Sequence, residues 1–474
     1  MYPFGIDDML GPFNTFEFPH GLHAIQQTSV GGARFNGPKI VAQSIHDQAF
    51  RASVPHFYTL SMFPAFEDVD VVRRVLDTSL PLLKHLCLDV ELLDPADKDC
   101  PDPPVITLLA RNLPALQTLI AHHCFVRLDT ALVRNLRRLH LKHDRDMEEI
   151  ERLPISHFLD VLRNCVRLEE LFVGNYLDVQ RPSNAGPSPV VSLEHHNHLK
   201  LVTLEDEPHI ISRILSSLHI PTRVQVIAIS YVSQDAVPAL EAMLPDNWNK
   251  LPILREATTI RVDASEAHCH CAVSLEKNEI PFDMELRVDH PDFQRRCESG
   301  AVFAGMVRYA ERFRGAPART LRFAGNVLAV PEHVWATAID AFPDVREISV
   351  EDIPNMSYGS LSAFLPTLLK RSAAAPGRVI CPSLSRFVFR GGFHEDERLP
   401  ELICRCFAQR AQSGARPLEK LHLQLFPDRV WRASEVARFR QALACVAGTV
   451  VLEVNEPVTS AEHPERHAPF IVLP

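Results

Sequence analysis

The chain has 474 residues, of which 46% are hydrophobic and 23% charged, a composition typical of folded globular proteins and not of disordered or fibrous ones. Its 49 basic and 59 acidic residues give a net charge of −10 at pH 7, which predicts no general attraction to nucleic acid or anionic lipid. No run of 18 apolar residues occurs, and the first residues lack the basic and apolar stretches of a signal peptide, so we expect an intracellular protein, cytoplasmic or nuclear, without a membrane partner.

The first segment of the chain, residues 1–50, contains phenylalanines, prolines and glycines but no convincing pair of amphipathic helices. We expect this segment to be irregular. Residues 456–474, rich in proline and histidine, are expected to form a C-terminal tail. Between them, residues 51–455 show a periodic pattern that predicts one extended array.

The repeated pattern is L-x-x-L-x-L, with other apolar residues allowed at the leucine positions. Clear copies run from Leu83-Leu86-Leu88 to Leu418-Leu421-Leu423, and weaker copies lie among and after them. The middle positions of the thirteen copies are 86, 119, 139, 171, 202, 227, 260, 286, 321, 348, 387, 421 and 452. Their mean spacing of about 30 residues is slightly longer than the usual leucine-rich period of about 20–29 residues, and it is irregular.

Segments with the apolar spacing of helices separate these copies, for example around Val69, Phe158, Ile214 and Val436. Proline often stands just before a strand, as in Phe342-Pro343, where it ends the helix and favours an extended chain. A short strand with a returning helix cannot bury its apolar face alone, so such units must stack on their neighbours.

Polar and apolar residues alternate along the strand copies, as in Arg138-Leu139-His140-Leu141-Lys142. Only one face of such a strand is buried, whereas the strands of a doubly wound sheet are apolar almost throughout. The sequence therefore predicts an α/β fold, specifically an irregular leucine-rich-repeat solenoid with a curved, largely parallel sheet and helices on its outer side. Other α/β arrangements are the alternative.

Four strings resemble the leucine-rich portion of F-box proteins from mushroom-forming fungi: LPLLKHLCLDV at 80–90, LPALQTLIAHHCF at 113–125, LRNCVRLEELFVGN at 162–175 and HLKLVTLEDEPHIISRILSSLHIPTRVQVIAIS at 198–230. The resemblance covers roughly residues 51–455. It implies a receptor that selects protein substrates for a ubiquitin ligase and that contacts the cullin-RING ligase adaptor. The helical F-box module that gives the family its name is not recognisable in residues 1–50. The Leu399-Pro400-Glu401 string has a similar opening but is expected to begin a repeat helix.

No enzyme signature is present: the P-loop, G-x-G-x-x-G, H-E-x-x-H and G-x-S-x-G motifs are all missing from the sequence. We therefore expect a protein that is not an enzyme, with no catalytic residues, no cofactor and no bound metal. The eleven cysteines are scattered and odd in number, so most are expected to be reduced and buried.

The string His268-Cys269-His270-Cys271 contains four potential zinc ligands in succession. Alternate residues of a strand point to opposite faces, so the four side chains cannot all reach one ion. The pattern predicts two buried cysteines and two exposed histidines. A half-site completed by Cys297 or His290 is the alternative, and His122-His123-Cys124 is expected to end another strand.

The functional surface of such an array is expected to be the strand face turned away from the leucines. Residues of both charge signs follow one another along it, which suits a folded protein partner better than a ligand of uniform charge. The residues we expect to contact a partner are Arg386, Arg390, Lys420 and His422, followed by Arg138, His140 and Lys142. Neighbouring strands are expected to expose Glu170, Phe172, Thr203, Glu205, Glu347 and Glu351 as well.

Three functional hypotheses follow. The first is a non-catalytic protein-recognition array that forms the substrate-binding part of an F-box-type ubiquitin-ligase receptor. The second is an interaction scaffold without a ubiquitin link. The third, from another class of protein, is a metal-dependent hydrolase that uses the histidines.

Overall fold

The computed structural model describes residues 58–64, 66, 69–90, 104–143, 153–178, 190–232, 236–245, 247, 250–264, 268–275, 281–288, 301–352, 359–373, 375–393 and 398–455, together with three short strands among the first 36 residues. The helices are α1 Val69–Leu76, α2 Thr130–Val133, α3 Ile155–Asn164, α4 Pro208–Ser216, α5 Ala236–Met243, α6 Ile253–Glu256, α7 Ala301–Tyr309, α8 Glu332–Asp340, α9 Ser360–Phe364, α10 Leu399–Gln412 and α11 Ala433–Leu443. Short 3-10 helices span Ala310–Phe313, Val327–Ala329 and Leu365–Leu369. Within these ranges, no helix has the length and apolar character needed to cross a bilayer.

The described strands lie between these helices along the chain, in runs of one to four. Their bounds are β1 Asn14–Glu17, β2 His23–Gln26, β3 Gly32–Asn36, β4 Thr59–Phe63, β5 His85–Asp89, β6 Val105–Leu108, β7 Thr118–His122, β8 Phe125–Leu128, β9 Arg138–Lys142, β10 Leu153–Pro154, β11 Glu170–Gly174, β12 Leu177–Asp178, β13 Val191–Ser192, β14 Leu201–Glu205, β15 Leu218–His219, β16 Gln225–Val232, β17 Thr259–Ala264, β18 His268–Ser274, β19 Pro281–Val288, β20 Thr320–Gly325, β21 Glu347–Asp352, β22 Arg386–Phe393, β23 Leu418–Pro427 and β24 Ala447–Val454. All thirteen predicted strand positions fall inside these strands.

The chain divides into two compact units: residues 1–230 with 242–251, and residues 231–241 with 252–474. The array predicted for residues 51–455 therefore extends over both units. The segment 1–50, predicted to be irregular, contains β1, β2 and β3, and β3 pairs in parallel with β4. The predicted tail, residues 456–474, lies outside the described residues.

In the first unit, β3, β4, β5, β7, β9, β11, β14 and β16 pair side by side, and every pair is parallel. The register places Leu119 opposite Leu139, and Leu139 opposite Leu171, so the leucines form one buried row. Shorter parallel pairs, such as β6 with β8 and β13 with β15, follow the main strands. Repetition of the same register explains why the apolar spacing recurs along the sequence.

One register differs from the prediction. The pattern placed Ile227 in the buried row of β16, but Val226 lies opposite Val202 in that row, and Ile227 pairs with Thr203 on the other face. The segment from Val224 to Ile229 is apolar at nearly every position, so the sequence is compatible with both registers. A shift of one residue exchanges the two faces of a strand.

In the second unit, β17, β20, β21, β22, β23 and β24 form a parallel series. On the other side of β17, β18 and β19 are antiparallel, so the copy predicted around Leu286 is not a parallel repeat strand. Trp335 of α8 is almost fully buried, and its ring meets Phe303, Phe323 and Phe364 edge-on at centroid distances of 5.9, 5.0 and 5.1 Å. The mixed α/β class and the largely parallel strand pairing are thus confirmed.

Candidate functional site

The seven residues predicted to contact a partner lie on two strand faces, one in each unit. We call the first unit's group face 1 and the second unit's group face 2. Face 1 consists of Asp89, His122, Arg138, His140, Lys142, Glu170, Phe172, Thr203 and Glu205 on β5, β7, β9, β11 and β14. Face 2 consists of Glu347, Glu351, Arg386, Val388, Arg390, Lys420, His422 and Glu453 on β21 to β24.

Face 2 brings together the four residues predicted as the first choice. Arg386 lies opposite Lys420, and two positions further along, Val388 lies opposite His422. The strand alternation keeps Phe387 and Phe389 buried, while the Arg386 side chain is 56% exposed. One side of these strands therefore belongs to the core, and the other offers charged groups to solvent.

The cations of face 2 are matched by carboxylates on neighbouring strands. The Arg386 guanidinium lies 3.8 Å from Glu347, and the His422 ring lies 3.1 Å from the Glu453 carboxylate. Lys420 is exposed, and no ion pair joins it to another described residue. Arg386 and Arg390 thus belong to ion pairs and the His422 ring lies beside a carboxylate, so face 2 has mixed charge and is not a purely basic patch.

Arg390 is more enclosed than Arg386, with 34% of its side chain exposed against 56%. Its guanidinium donates a hydrogen bond to Glu351 and lies 5.6 Å from the centre of the Phe426 ring. Its Nε is buried and has no hydrogen-bond partner among the described residues. Burial raises the pKa of Glu351, although the charge and hydrogen bond of Arg390 act in the opposite direction.

Face 1 differs from the prediction at its edge. Thr203 and Glu205, expected to be exposed, are buried, and the Glu205 side chain retains only 3% of its accessibility. The Lys142 ammonium lies 3.2 Å from Glu205, so the charge of the lysine compensates that of a buried carboxylate. The Arg138 guanidinium lies 3.3 Å from Glu170 and remains accessible.

His140 is an aromatic contact on this face and not a cation. Its ring lies 3.9 Å from the Phe172 ring and 4.9 Å from the His122 ring, measured between centroids. Burial, together with the charges of His122 and Lys142, lowers the pKa of His140 to about 3. The imidazole is therefore neutral at pH 7, which corrects the prediction of a basic group formed by Arg138, His140 and Lys142.

Asp89 was not among the predicted site residues, yet it organises one end of face 1. Two histidines that follow one another at the end of β7 reach it: His123 Nδ1 at 3.1 Å and His122 Nδ1 at 3.7 Å. Burial alone would raise the pKa of Asp89, but the nearby His122 ring and the hydrogen bond with His123 hold it well below its usual range. The position of His122 as the last residue of β7 confirms the predicted strand end.

The His268–Cys271 string lies on β18, and the two cysteines are buried as predicted, but His270, predicted to be exposed, is largely enclosed, with 22% of its side chain exposed. Cys269 and Cys271 are buried, whereas the His270 ring points to the other face, between Asp263 at 3.2 Å and Asp283 at 3.4 Å. Burial alone would lower the pKa of His270, but the two carboxylates raise it to about 9. A protonated ring has no lone pair for a metal ion.

Within the described ranges, no three His, Cys, Asp or Glu side chains come together as metal ligands. Cys297 and His290, the alternative partners of the half-site, lie outside those ranges.

Comparison of the chain with models of known protein families and with curated proteins finds no match.

Proposed function

We propose that this chain is a non-catalytic protein-recognition array of the leucine-rich-repeat type, a solenoid that binds a folded partner through face 2 and secondarily through face 1. The observation that supports the proposal is the one-sided burial of β20, β21, β22 up to Gly391 and β23 from Lys420 onwards, where every second residue packs inside and the intervening residues are at least partly accessible. Parallel pairing in register brings those accessible residues from successive strands together. A continuous surface of side chains on a rigid sheet suits recognition of a large ligand.

The charges of face 2 favour a protein as that ligand. Nucleic-acid sites present unpaired lysines and arginines to phosphates, because release of counterions supplies much of the affinity. Arg390 and His422 instead have carboxylates beside them. A protein surface with acidic and basic patches can form new ion pairs with the charged groups of these pairs. The apolar Val388 and the Phe426 ring offer the same partner an uncharged area to cover.

Site-specific photo-crosslinking in extracts of the native organism tests this proposal. A benzoylphenylalanine at Val388 stands in the middle of face 2, between Ser349 and His422 on the neighbouring strands. A matched benzoylphenylalanine replaces the exposed Arg405 on α10. We expect a discrete crosslinked protein from position 388 that is weakened by Arg386→Glu with Lys420→Glu and is not produced from position 405. The same products from both positions would contradict recognition through face 2.

The resemblance to F-box proteins adds a narrower proposal, that the recognised protein is a substrate for a ubiquitin ligase. Co-expression of the full chain with the cullin-RING adaptor, followed by size-exclusion chromatography, tests it. Co-elution in a fixed ratio supports the ligase role. Separate elution overturns that role and leaves the scaffold without a ubiquitin link as the function.

A further inference from the structure

Two cysteine side chains of the second unit lie beside each other. Cys404 is on α10, Cys445 follows the end of α11, and their Sγ atoms are 3.7 Å apart. Both sulfurs lie near one backbone acceptor, the Ala442 carbonyl, at 3.3 Å for Cys404 and 3.8 Å for Cys445. Cys445 is exposed and Cys404 is partly exposed, so a solute can reach the pair.

The other described cysteines differ from this pair because they are buried: Cys87, Cys124, Cys165, Cys269, Cys271, Cys381 and Cys406. Cys406 is only two residues from Cys404, but it lies on the packed side of α10, where its thiol is 3.5 Å from the Leu365 carbonyl. Among the described cysteines, solvent therefore reaches one close pair and no other.

We propose that Cys404 and Cys445 form a reversible oxidation site, at which a hydroperoxide converts the two thiols into a disulfide. A disulfide bond is about 2.05 Å long, so the sulfurs must approach each other by about 1.7 Å. Cys445 stands beyond the last turn of α11, where helix ends fray, and this position allows such a movement. The inference goes beyond the proposed function and does not depend on it.

The two sulfurs have different roles in the reaction. Burial, with the hydrogen bond and charge of Cys445, raises the pKa of Cys404 to about 11, so Cys404 remains a thiol at neutral pH. Cys445 is the more exposed of the two and meets the oxidant first. Its sulfur attacks one oxygen of the hydroperoxide and loses its proton, the O–O bond breaks, and a sulfenic acid forms with release of an alcohol or of water. The Cys404 sulfur then attacks the Cys445 sulfur, gives up its proton and displaces the second oxygen as water. Two thiols are oxidised to one disulfide, and one hydroperoxide is reduced.

The bond would join residues that are 41 positions apart and connect α10 with the segment that follows α11. A crosslink of this kind restricts the unfolded chain, so the oxidised form should unfold at a higher temperature than the reduced form. Because α11 is followed by β24, the same bond restrains the strand that carries Glu453 of face 2.

Peptide mapping of the full chain tests the proposal with hydrogen peroxide as the probe. The folded protein is oxidised, its remaining thiols are alkylated after denaturation, and trypsin is added. Trypsin separates Cys404, in peptide 399–405, from Cys406, in peptide 406–410, and releases Cys445 in peptide 441–466. We expect peptides 399–405 and 441–466 to appear joined, about 2 Da lighter than their sum, and to separate on reduction. Peptide 406–410 should remain alkylated.

Two serine variants, Cys404→Ser and Cys445→Ser, provide the controls. Each should abolish the joined peptide and the rise in thermal midpoint on oxidation, while circular dichroism of the reduced protein stays unchanged. The proposal is overturned if Cys445 is recovered only as a thiol or as sulfinic acid, or if Cys404 is joined mainly to Cys406. It is equally overturned if the oxidised wild type melts at the same temperature as the reduced protein.

Discussion

The His270 ring between Asp263 and Asp283 links a single residue to the pH dependence of the fold. Both carboxylates favour its charged form, and the side chain is only 22% exposed. Its pKa is raised to about 9, whereas an unfolded histidine has a pKa near 6.5. Its contribution to stability is therefore fully present below about pH 6.5 and is lost as the pH rises towards 9.

We expect the free-energy difference between wild type and His270→Gln to shrink from pH 6.5 to pH 9, by at most about 1.4 kcal/mol per pH unit. Urea denaturation at several pH values measures this difference. His333→Gln, at an exposed position of α8, controls for the substitution itself. A difference for His270→Gln that stays constant across this range would show that the two carboxylates do not hold a protonated ring.

His140 should show the opposite dependence. Its pKa in the folded chain is lowered to about 3, so the unfolded chain takes up a proton below about pH 6.5 before the folded chain does. Its contribution to stability is present above pH 6.5 and is lost as the pH falls towards 3, at up to about 1.4 kcal/mol per pH unit.

The comparison of wild type with His140→Gln measures this effect, with His157→Gln, exposed on α3, as the control. We expect the free energy of unfolding of the variant, relative to that of wild type, to rise as the pH falls. A difference between the two free energies that does not change between pH 6.5 and 4 would contradict the neutral, aromatic role of His140 against Phe172.

At the scale of an element, α10 depends on one buried cation. Arg410 is 2% exposed and donates to three carbonyls: Leu368, Ile380 at 3.1 Å and Cys381 at 2.7 Å. The turn that it stabilises contains Cys381 at a φ of 44°, a left-handed conformation that costs energy for a residue with a side chain. Burial lowers the pKa of Arg410, but the guanidinium stays charged at neutral pH.

Removal of this side chain takes the Arg410 donors away from three carbonyls, of which the Cys381 carbonyl still accepts from the Leu384 amide at 3.1 Å. We expect Arg410→Ala to lower the free energy of unfolding by about 3–5 kcal/mol. Arg410→Lys should recover part of the loss, since it restores the charge but not the planar set of donors. Arg405→Ala, at an exposed position of the same helix, should change stability by less than about 0.5 kcal/mol. Similar effects of Arg410→Ala and Arg405→Ala in urea denaturation would refute this role.

The elements themselves follow closely from the sequence. The apolar spacing around Val69, Phe158, Ile214 and Val436 predicts α1, α3, α4 and α11, and the proline after Leu399 begins α10 as expected. These patterns depend only on residues that are close together in the sequence, so the sequence alone is enough to predict these helices. The register of β16 and the antiparallel direction of β18 were not predictable, because both depend on pairing between distant strands.

The candidate site was predictable in part for the same reason. Alternation along β22 and β23 identifies Arg386 and Lys420 as outward residues, and both are exposed. The charge environment of the site residues depends on neighbours far away in sequence. Glu347, which pairs with Arg386, is 39 residues from it, and Glu205, which pairs with Lys142, is 63 residues from it. The role of Asp89 was missed because its two histidines come from a different strand.

At the scale of the whole molecule, face 2 carries the central claim, that outward side chains of parallel strands bind a protein partner. Charge reversal of two accessible cations there should disturb the partner and not the fold. Arg386→Glu with Lys420→Glu is the test variant. Arg405→Glu with Arg438→Glu, exposed on α10 and α11, has the same change in charge and is the matched control.

The most direct measurement is the dissociation constant of the partner identified by crosslinking, determined by isothermal titration calorimetry for the wild type and both variants. The account predicts at least a tenfold weaker affinity for the face 2 variant, about 1.4 kcal/mol, and an affinity within about twofold of wild type for the control. Equal affinities for the two variants would contradict recognition through this face.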